Sequence, residues 1–183
     1  MSDQTFLDFL ILFKRQTEEM WANKELERDV YGFQIPAGAK WLPGLSAEHI
    51  RAYEHDIGCV FPHDLRVFLS VMNGLDRESI NIYGMCGEPF RTKYTIYSYP
   101  RDFELIRGQI ARLQSSVEEL AGYLTDLRVS GEGVRFVPLC MGTYVVCSDD
   151  NTYSPVVYCD GSFVDIVGET IKESLILRFL PSA

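Results

Sequence analysis

The sequence holds only three histidines in 183 residues, no run of basic residues and no long apolar stretch. Each shortage excludes something. Spanning a bilayer takes about 20 consecutive apolar residues, so no membrane segment is expected. Nucleic-acid binding needs a basic patch. Here 26 acidic residues outnumber 17 basic ones, the net charge is −9, and pairs such as Lys14-Arg15 and Arg91/Lys93 are scattered. No nucleic-acid partner is expected. His49, His55 and His63 all fall around one helix pair, which leaves few candidate bases for a Ser/His/Asp or Cys/His triad. Glycine fingerprints are missing too. Gly84-x2-Gly87 and Gly131-x-Gly133 fit neither the dinucleotide turn nor the P-loop, and no G-x-S-x-G elbow occurs.

The five cysteines, Cys59, Cys86, Cys140, Cys147 and Cys159, are odd in number and irregular in spacing, with no CxxC pair. That pattern predicts reduced, mostly buried thiols in a cytoplasmic protein, not a disulfide framework. Met1-Ser2-Asp3-Gln4 has no positively charged n-region, and Asp8 interrupts the apolar run behind it, which argues against a signal peptide. The remaining composition is ordinary for a globular chain, 46% hydrophobic and 23% charged. The length suits a single domain over 1–183. The acid excess keeps such a chain soluble. It also suits a basic partner, because complementary fields speed association.

Residues 5–28 read as a helix, with Phe6, Leu10 and Phe13 at i, i+4 and i+7. Phe9 and Leu12 make its first half apolar nearly all round, as in a helix that is well packed or covers an interface. Residues 31–46, with two Pro and three Gly, read as a loop with one short extended piece. Ser46 is a good N-cap, and Glu48 puts acid in the first turn. Ile50, Tyr53 and Ile57 then line one face, and Gly58 stops the helix. Pro62 suits a first helical position. Leu65, Phe68, Leu69 and Met72 follow at helical spacing, and Asn73-Gly74 is read as the helix stop.

The period then changes. Ile80–Tyr83 and Thr95–Tyr99 alternate like strands. Helical spacing returns over 101–128, with a candidate break at Ser115-Ser116. Three short strands are expected over 134–139, 143–147 and 155–159, with a polar turn at Ser148–Asn151 and a hairpin signal at Asp160-Gly161. A last helix spans about 168–180. The order predicts an α+β fold, a small, largely antiparallel sheet packed against helices.

Few constellations could carry chemistry. His55, Cys59 and His63 sit four apart, a zinc-like spacing on a continuous helix. Gly58 and Pro62 break that helix, so no metal site is expected there. Asp149, Asp150 and Asp160 form an acidic turn region. Such carboxylates bind divalent metals, cap ordinary turns or meet a basic partner. Tyr144 and Tyr153, beside that region, are candidate anchors if exposed, and ordinary sheet packing otherwise. No cofactor and no catalytic residue is expected.

The stretch Ser46–Gly74, "SAEHIRAYEHDIG" then "CVFPHDLRVFLSVMNG", resembles the opening of the SUKH superfamily, the group of the fungal Smi and Knr cell-wall regulators and of many bacterial immunity proteins. Glu54, Ile57 and Gly58 match the first part of its pattern. Phe61, Pro62, Asp64, Leu65, Phe68, Leu69, Asn73 and Gly74 match the rest. More weakly, Pro138, Gly142, Asp149 or Asp150, and Val157-Tyr158 look like its later strands. The resemblance covers 46–180 and makes 1–40 an N-terminal helix-and-loop extension and 101–128 a helical insertion. It implies a SUKH-like α+β fold and a non-catalytic protein-binding function, most concretely an immunity protein that neutralises a basic toxin such as a nuclease. The alternatives are a ligand- or metal-binding regulatory domain and a carboxylate-based enzyme.

Overall fold

The computed structural model describes residues 3–83, 88–114, 134–140, 142–148, 153–159 and 164–180. Among them run α1 (Asp3–Ala22), β1 (Gly32–Gln34), β2 (Trp41–Pro43), α2 (Ala47–Ile57), α3 (His63–Val71), β3 (Met72–Leu75), β4 (Ser79–Tyr83) and β5 (Glu88–Lys93). Then come α4 (Phe103–Gln114), β6 (Arg135–Cys140), β7 (Thr143–Cys147), β8 (Val156–Cys159), β9 (Val164–Gly168) and α5 (Ile171–Phe179). Every strand pair is antiparallel. The fold is α+β, as expected, but its strands make three sheets: β1-β4-β5, β2-β3 and the meander β6-β7-β8-β9. Two of the extra strands, β1 and β2, lie in the Pro/Gly-rich stretch read as loop.

Strands β6, β7 and β8 of the meander are buried on both faces. Val137, Val145, Cys147 and Val156 point to the main core, while Phe136, Tyr144, Val146 and Val157 point the other way, where Leu113 of α4 covers them. This is why β7 reads TYVVC, apolar without alternation: a strand with no solvent face has no reason to alternate. The described part of the 101–128 stretch is thus one helix, α4, laid over the sheet; 115–128 lies outside the described residues.

The segment 3–40 contributes directly to the core. Phe6, Leu10, Phe13 and Trp21 of α1 and Ala39 after it belong to the main buried cluster. Trp41 is the hub. Its ring lies 5.6–6.3 Å, centroid to centroid, from Trp21, Phe13, Phe179 and Phe68. Its indole N–H donates to Thr17 Oγ1 at 2.8 Å, satisfying both polar groups inside the core. The helix ends at Ala22, earlier than the apolar spacing alone predicts. Trp21 O accepts from the N–H groups of Lys24 and of Gly38, so the following loop folds back onto the helix end.

Between α3 and β3 the chain departs from expectation. Asn73-Gly74 does not cap α3. Met72 is already extended, and both residues lie inside β3. Asn73 is buried and works as a bracket. Its Nδ2 donates to Tyr99 O at 2.7 Å and Ser98 Oγ at 3.2 Å, and its Oδ1 accepts from Tyr99 N at 3.0 Å. Gly74 has φ +76°, and a Cβ there would stand 2.6 Å from Tyr97 O, so only glycine lets the two backbones meet. The same bracket explains why 95–99 is not a strand: its backbone bonds go to the Asn73 side chain and to Asp102, with a single bridge, Ile96 to Cys140. Arg101 completes the join. It holds Asp102 through two nitrogens, at 2.7 and 2.9 Å, and donates to Leu75 O at 2.7 Å.

Phe68 is buried edge-on against Trp41. Phe68→Ala is expected to lower the unfolding free energy by about 3–5 kcal/mol. Denaturant melts check this, and a midpoint equal to wild type would contradict the packing.

Candidate functional site

The Ser46–Gly74 block is two helices, the turn between them and the start of β3, and two of its polar residues, Glu54 and Asn73, are buried. Ser46 caps α2, its Oγ accepting from His49 N–H at 3.2 Å. Gly58, at φ +71°, ends α2 and donates its N–H to Glu54 O and His55 O. Pro62 stands one place earlier than expected, at the N-cap of α3 rather than its first turn. Asp64 lies in that first turn, where its charge meets the positive end of the helix. Phe61, Leu65, Phe68 and Leu69 are core.

Glu54 organises the turn. It is nearly buried, and its Oε1 accepts from Phe61 N–H at 2.7 Å and from Arg66 Nε at 2.7 Å, with Arg66 Nη2 also at 2.7 Å. A buried carboxylate with a guanidinium and a backbone donor is a satisfied structural element. Beside it Tyr53 stacks on Tyr99, centroids 4.4 Å apart, and Tyr99 Oη donates to Asp56 at 2.7 Å.

The residues expected to form a partner surface fare differently. Asp149, Asp150 and Asp160 lie outside the described residues. Tyr144 is not an exposed anchor: it is fully buried in the sheet, and its hydroxyl donates to Gln109 Oε1 of α4 at 3.1 Å. The reason is that both faces of β7 are covered, so the outward position of a one-sided sheet is inward here. Tyr153 is half-buried and packs against the same small cluster. Among the described residues no three His, Cys, Asp or Glu side chains converge as metal ligands, and His55, Cys59 and His63 make no such group. No described helix is long and apolar enough to cross a membrane.

Two other features could engage a partner. The first is a set of exposed apolar side chains on α1 and α5, two helices that pack together through Phe13 and Phe179, 6.0 Å apart. Ile11 (56% exposed), Leu12 and Met20 project from α1, and Ile176 and Leu177 (73% exposed) from α5. The all-round apolar start of α1 signalled part of this. The Leu175-Ile176-Leu177 run signalled the rest, since three consecutive apolar residues on a helix cannot share one face. The second is a cavity of about 400 Å³, lined by Trp21, Phe33, Ile96 and Phe179 with Lys24 and Arg178 among its polar members. Arg178 Nη1 donates to Thr143 Oγ1 at 2.9 Å, which fixes the guanidinium at the edge of the sheet.

Comparison with protein-family models, with curated proteins and with solved structures found no match. The resemblance of residues 46–180 to the SUKH superfamily therefore stands on the quoted motif alone.

Burial also sets the alkaline behaviour of the core. Desolvation raises the Tyr53 hydroxyl well above its usual range, with the nearby Cys147, Tyr99 and Asp102 adding to the effect. Desolvation likewise pushes Tyr97 up to about 12, and among the described residues its hydroxyl has no hydrogen-bond partner. An unfolded tyrosine ionises near pH 10. As pH rises beyond that, the unfolded chain loses this proton while the folded chain keeps it, so the folded state loses stability until Tyr97 itself ionises at about 12. Tyr97→Phe is expected to make this alkaline loss shallower, read as unfolding free energy against pH. An unchanged slope would contradict it.

Proposed function

We propose that the chain is a non-catalytic module that binds another protein, most concretely an antidote that neutralises a toxin by direct contact. The observation that carries this reading is the exposure of Leu12 and Met20 on α1 and of Ile176 and Leu177 on α5, large apolar side chains that a partner would cover. The charge points to the kind of partner. A molecule at net −9 is steered toward a basic protein, and a nuclease with a basic active site fits. The carboxylates of Asp149, Asp150 and Asp160 would supply further complementary charge. The two buried polar side chains of the Ser46–Gly74 block, Glu54 and Asn73, are consistent with this division, since they bond to the protein's own backbone and side chains.

A second reading has its own observation. The cavity near Trp21 and Arg178 has the volume of a small-ligand site and mixes aromatic walls with cationic side chains. Such a site suits a small organic anion, and the protein would then be a ligand-binding regulatory domain.

The test is affinity purification of the tagged protein from its host at low and high salt. A captured partner is then reconstituted from purified components with wild type and Leu177→Glu. The expected result is a stoichiometric basic partner, weakened by salt, whose affinity falls more than about tenfold for Leu177→Glu. A partner bound equally by both proteins would remove the α1–α5 surface from the account. A protein that carries no partner but retains a small anion through purification would favour the second reading.

A further inference from the structure

Of the four described thiols three are buried and Cys59 is half-buried, and two of the four meet. Cys59 follows the Gly58 cap of α2, and Cys147 ends β7, so 88 positions of sequence separate them. The two side chains interact, Cys59 raising the Cys147 thiol, while the thiols also donate to backbone carbonyls, Cys59 to Val60 O at 3.5 Å and Cys147 to Val145 O at 3.8 Å. The surroundings place them together independently. Cys59 lines a cleft of about 550 Å³ with Arg135 and Ser148. Arg135 is the cross-strand partner of Cys147, and Ser148 is its chain neighbour. Cys59 also packs against the main core cluster, of which Cys147 is a member. One thiol is therefore reachable from solvent through the cleft, and the other waits behind it in the sheet.

We propose that Cys59 and Cys147 form an oxidisable thiol pair, which a hydroperoxide converts into a disulfide joining the α2–α3 connection to strand β7. The site is a modification site, and its co-substrate class is a peroxide, hydrogen peroxide being the simplest. Cys59 is the attacking sulfur, because it lines the cleft. Its thiolate attacks one peroxide oxygen. The O–O bond breaks, Cys59 becomes a sulfenic acid, and the departing hydroxide takes up the released proton as water. The Cys147 sulfur then attacks the Cys59 sulfur. The S–S bond forms, the S–O bond breaks, and the leaving hydroxide takes the Cys147 proton as a second water. The two sulfurs together lose two electrons, and the peroxide gains them.

The order of ionisation agrees with these roles. The Cys147 thiol is held protonated by its interaction with Cys59, by burial and by the negative charge Cys59 acquires. A protonated Cys147 can donate to a Cys59 thiolate and stabilise it, as neighbouring donors do for reactive cysteines. Once Cys59 is a neutral sulfenic acid, its charge no longer opposes release of the Cys147 proton. The other two described cysteines expose almost no surface, although Cys140 borders the cavity near Trp21 and Arg178. Cys140 and Cys159 are buried, and the Cys140 thiol is raised by desolvation, with its bonds going to Thr143 and Arg178.

The experiment uses the full chain, folded and reduced, treated with hydrogen peroxide and compared with Cys59→Ser. Free thiols are blocked, and the protein is digested without reductant. The sequence between Arg135 and Lys172 contains no Lys or Arg, so Cys140, Cys147 and Cys159 share one tryptic peptide and fragmentation must assign the partner. The expected result is a mass loss of two hydrogens per chain and one crosslink, Cys59 to Cys147, absent from Cys59→Ser and reversed by a dithiol. Overoxidation of Cys59 to sulfinic acid with Cys147 still reduced would overturn the proposal. So would a crosslink of Cys59 to any other cysteine, or thiols that stay reduced. The wild-type measurement suffices without any variant at Cys147, whose buried position could compromise folding.

Discussion

The carboxylate of Glu54 is the constraint on which the front of this molecule depends. It is nearly buried, and one of its oxygens receives the Phe61 backbone N–H and the Arg66 guanidinium. Hydrogen bonds to a charged group are worth about 1.5–3 kcal/mol each. The consequence is geometric. With Phe61 tied to α2, its ring meets Tyr53 edge-on at 5.0 Å, and Tyr53 lies flat on Tyr99. Tyr99 carries the join onward to Asn73 and so to β3. The same turn sets Cys59 against Cys147. Helix pair, bracket and thiol contact all follow from one side chain accepting donors from two elements.

The interior polar groups fall into a few such clamps. Asn73 and Asp102 hold 98–99, Arg101 holds β3, and Thr17 satisfies Trp41. Their acceptors and donors face one another, which makes them structural elements that fix the relation of one segment to the next. In the binding role proposed above, recognition falls to what faces water, with the acid excess supplying long-range attraction and the apolar side chains of α1 and α5 supplying area to bury on contact. These two contributions act at different stages. Charge raises the rate of encounter, and burial slows dissociation. Under this division the Ser46–Gly74 block is a framework, apart from the Cys59 thiol in its turn.

Helices were legible because their signals are local. Ser46 and Gly58 bounded α2 in sequence as they do in the structure, and the i, i+3, i+4 spacing of Leu65, Phe68 and Leu69 marked the buried side of α3. The misread segments are those whose partners are distant in sequence. Thr95–Tyr99 alternates like a strand, yet its backbone is claimed by Asn73, more than twenty positions earlier. Asn73-Gly74 reads as a helix stop, yet the glycine is required by the approach of Tyr97 O. Tyr144 shows the same limit from the other direction. Alternation predicts which side a residue faces, but not whether α4 lies over that side. The apolar surface was half legible, through the unbroken apolar start of α1, because an exposed face differs from a buried one only in what covers it.

The most direct test of this account is the equilibrium unfolding of Glu54→Ala beside Glu54→Gln, each with and without Arg66→Ala. A load-carrying carboxylate predicts that Glu54→Ala loses about 2–3 kcal/mol, that Glu54→Gln loses less because an amide oxygen still accepts from Phe61, and that the Arg66 substitution costs little once Glu54 is gone. Unfolding of Glu54→Ala at the wild-type midpoint, or fully additive losses at the two positions, would contradict it.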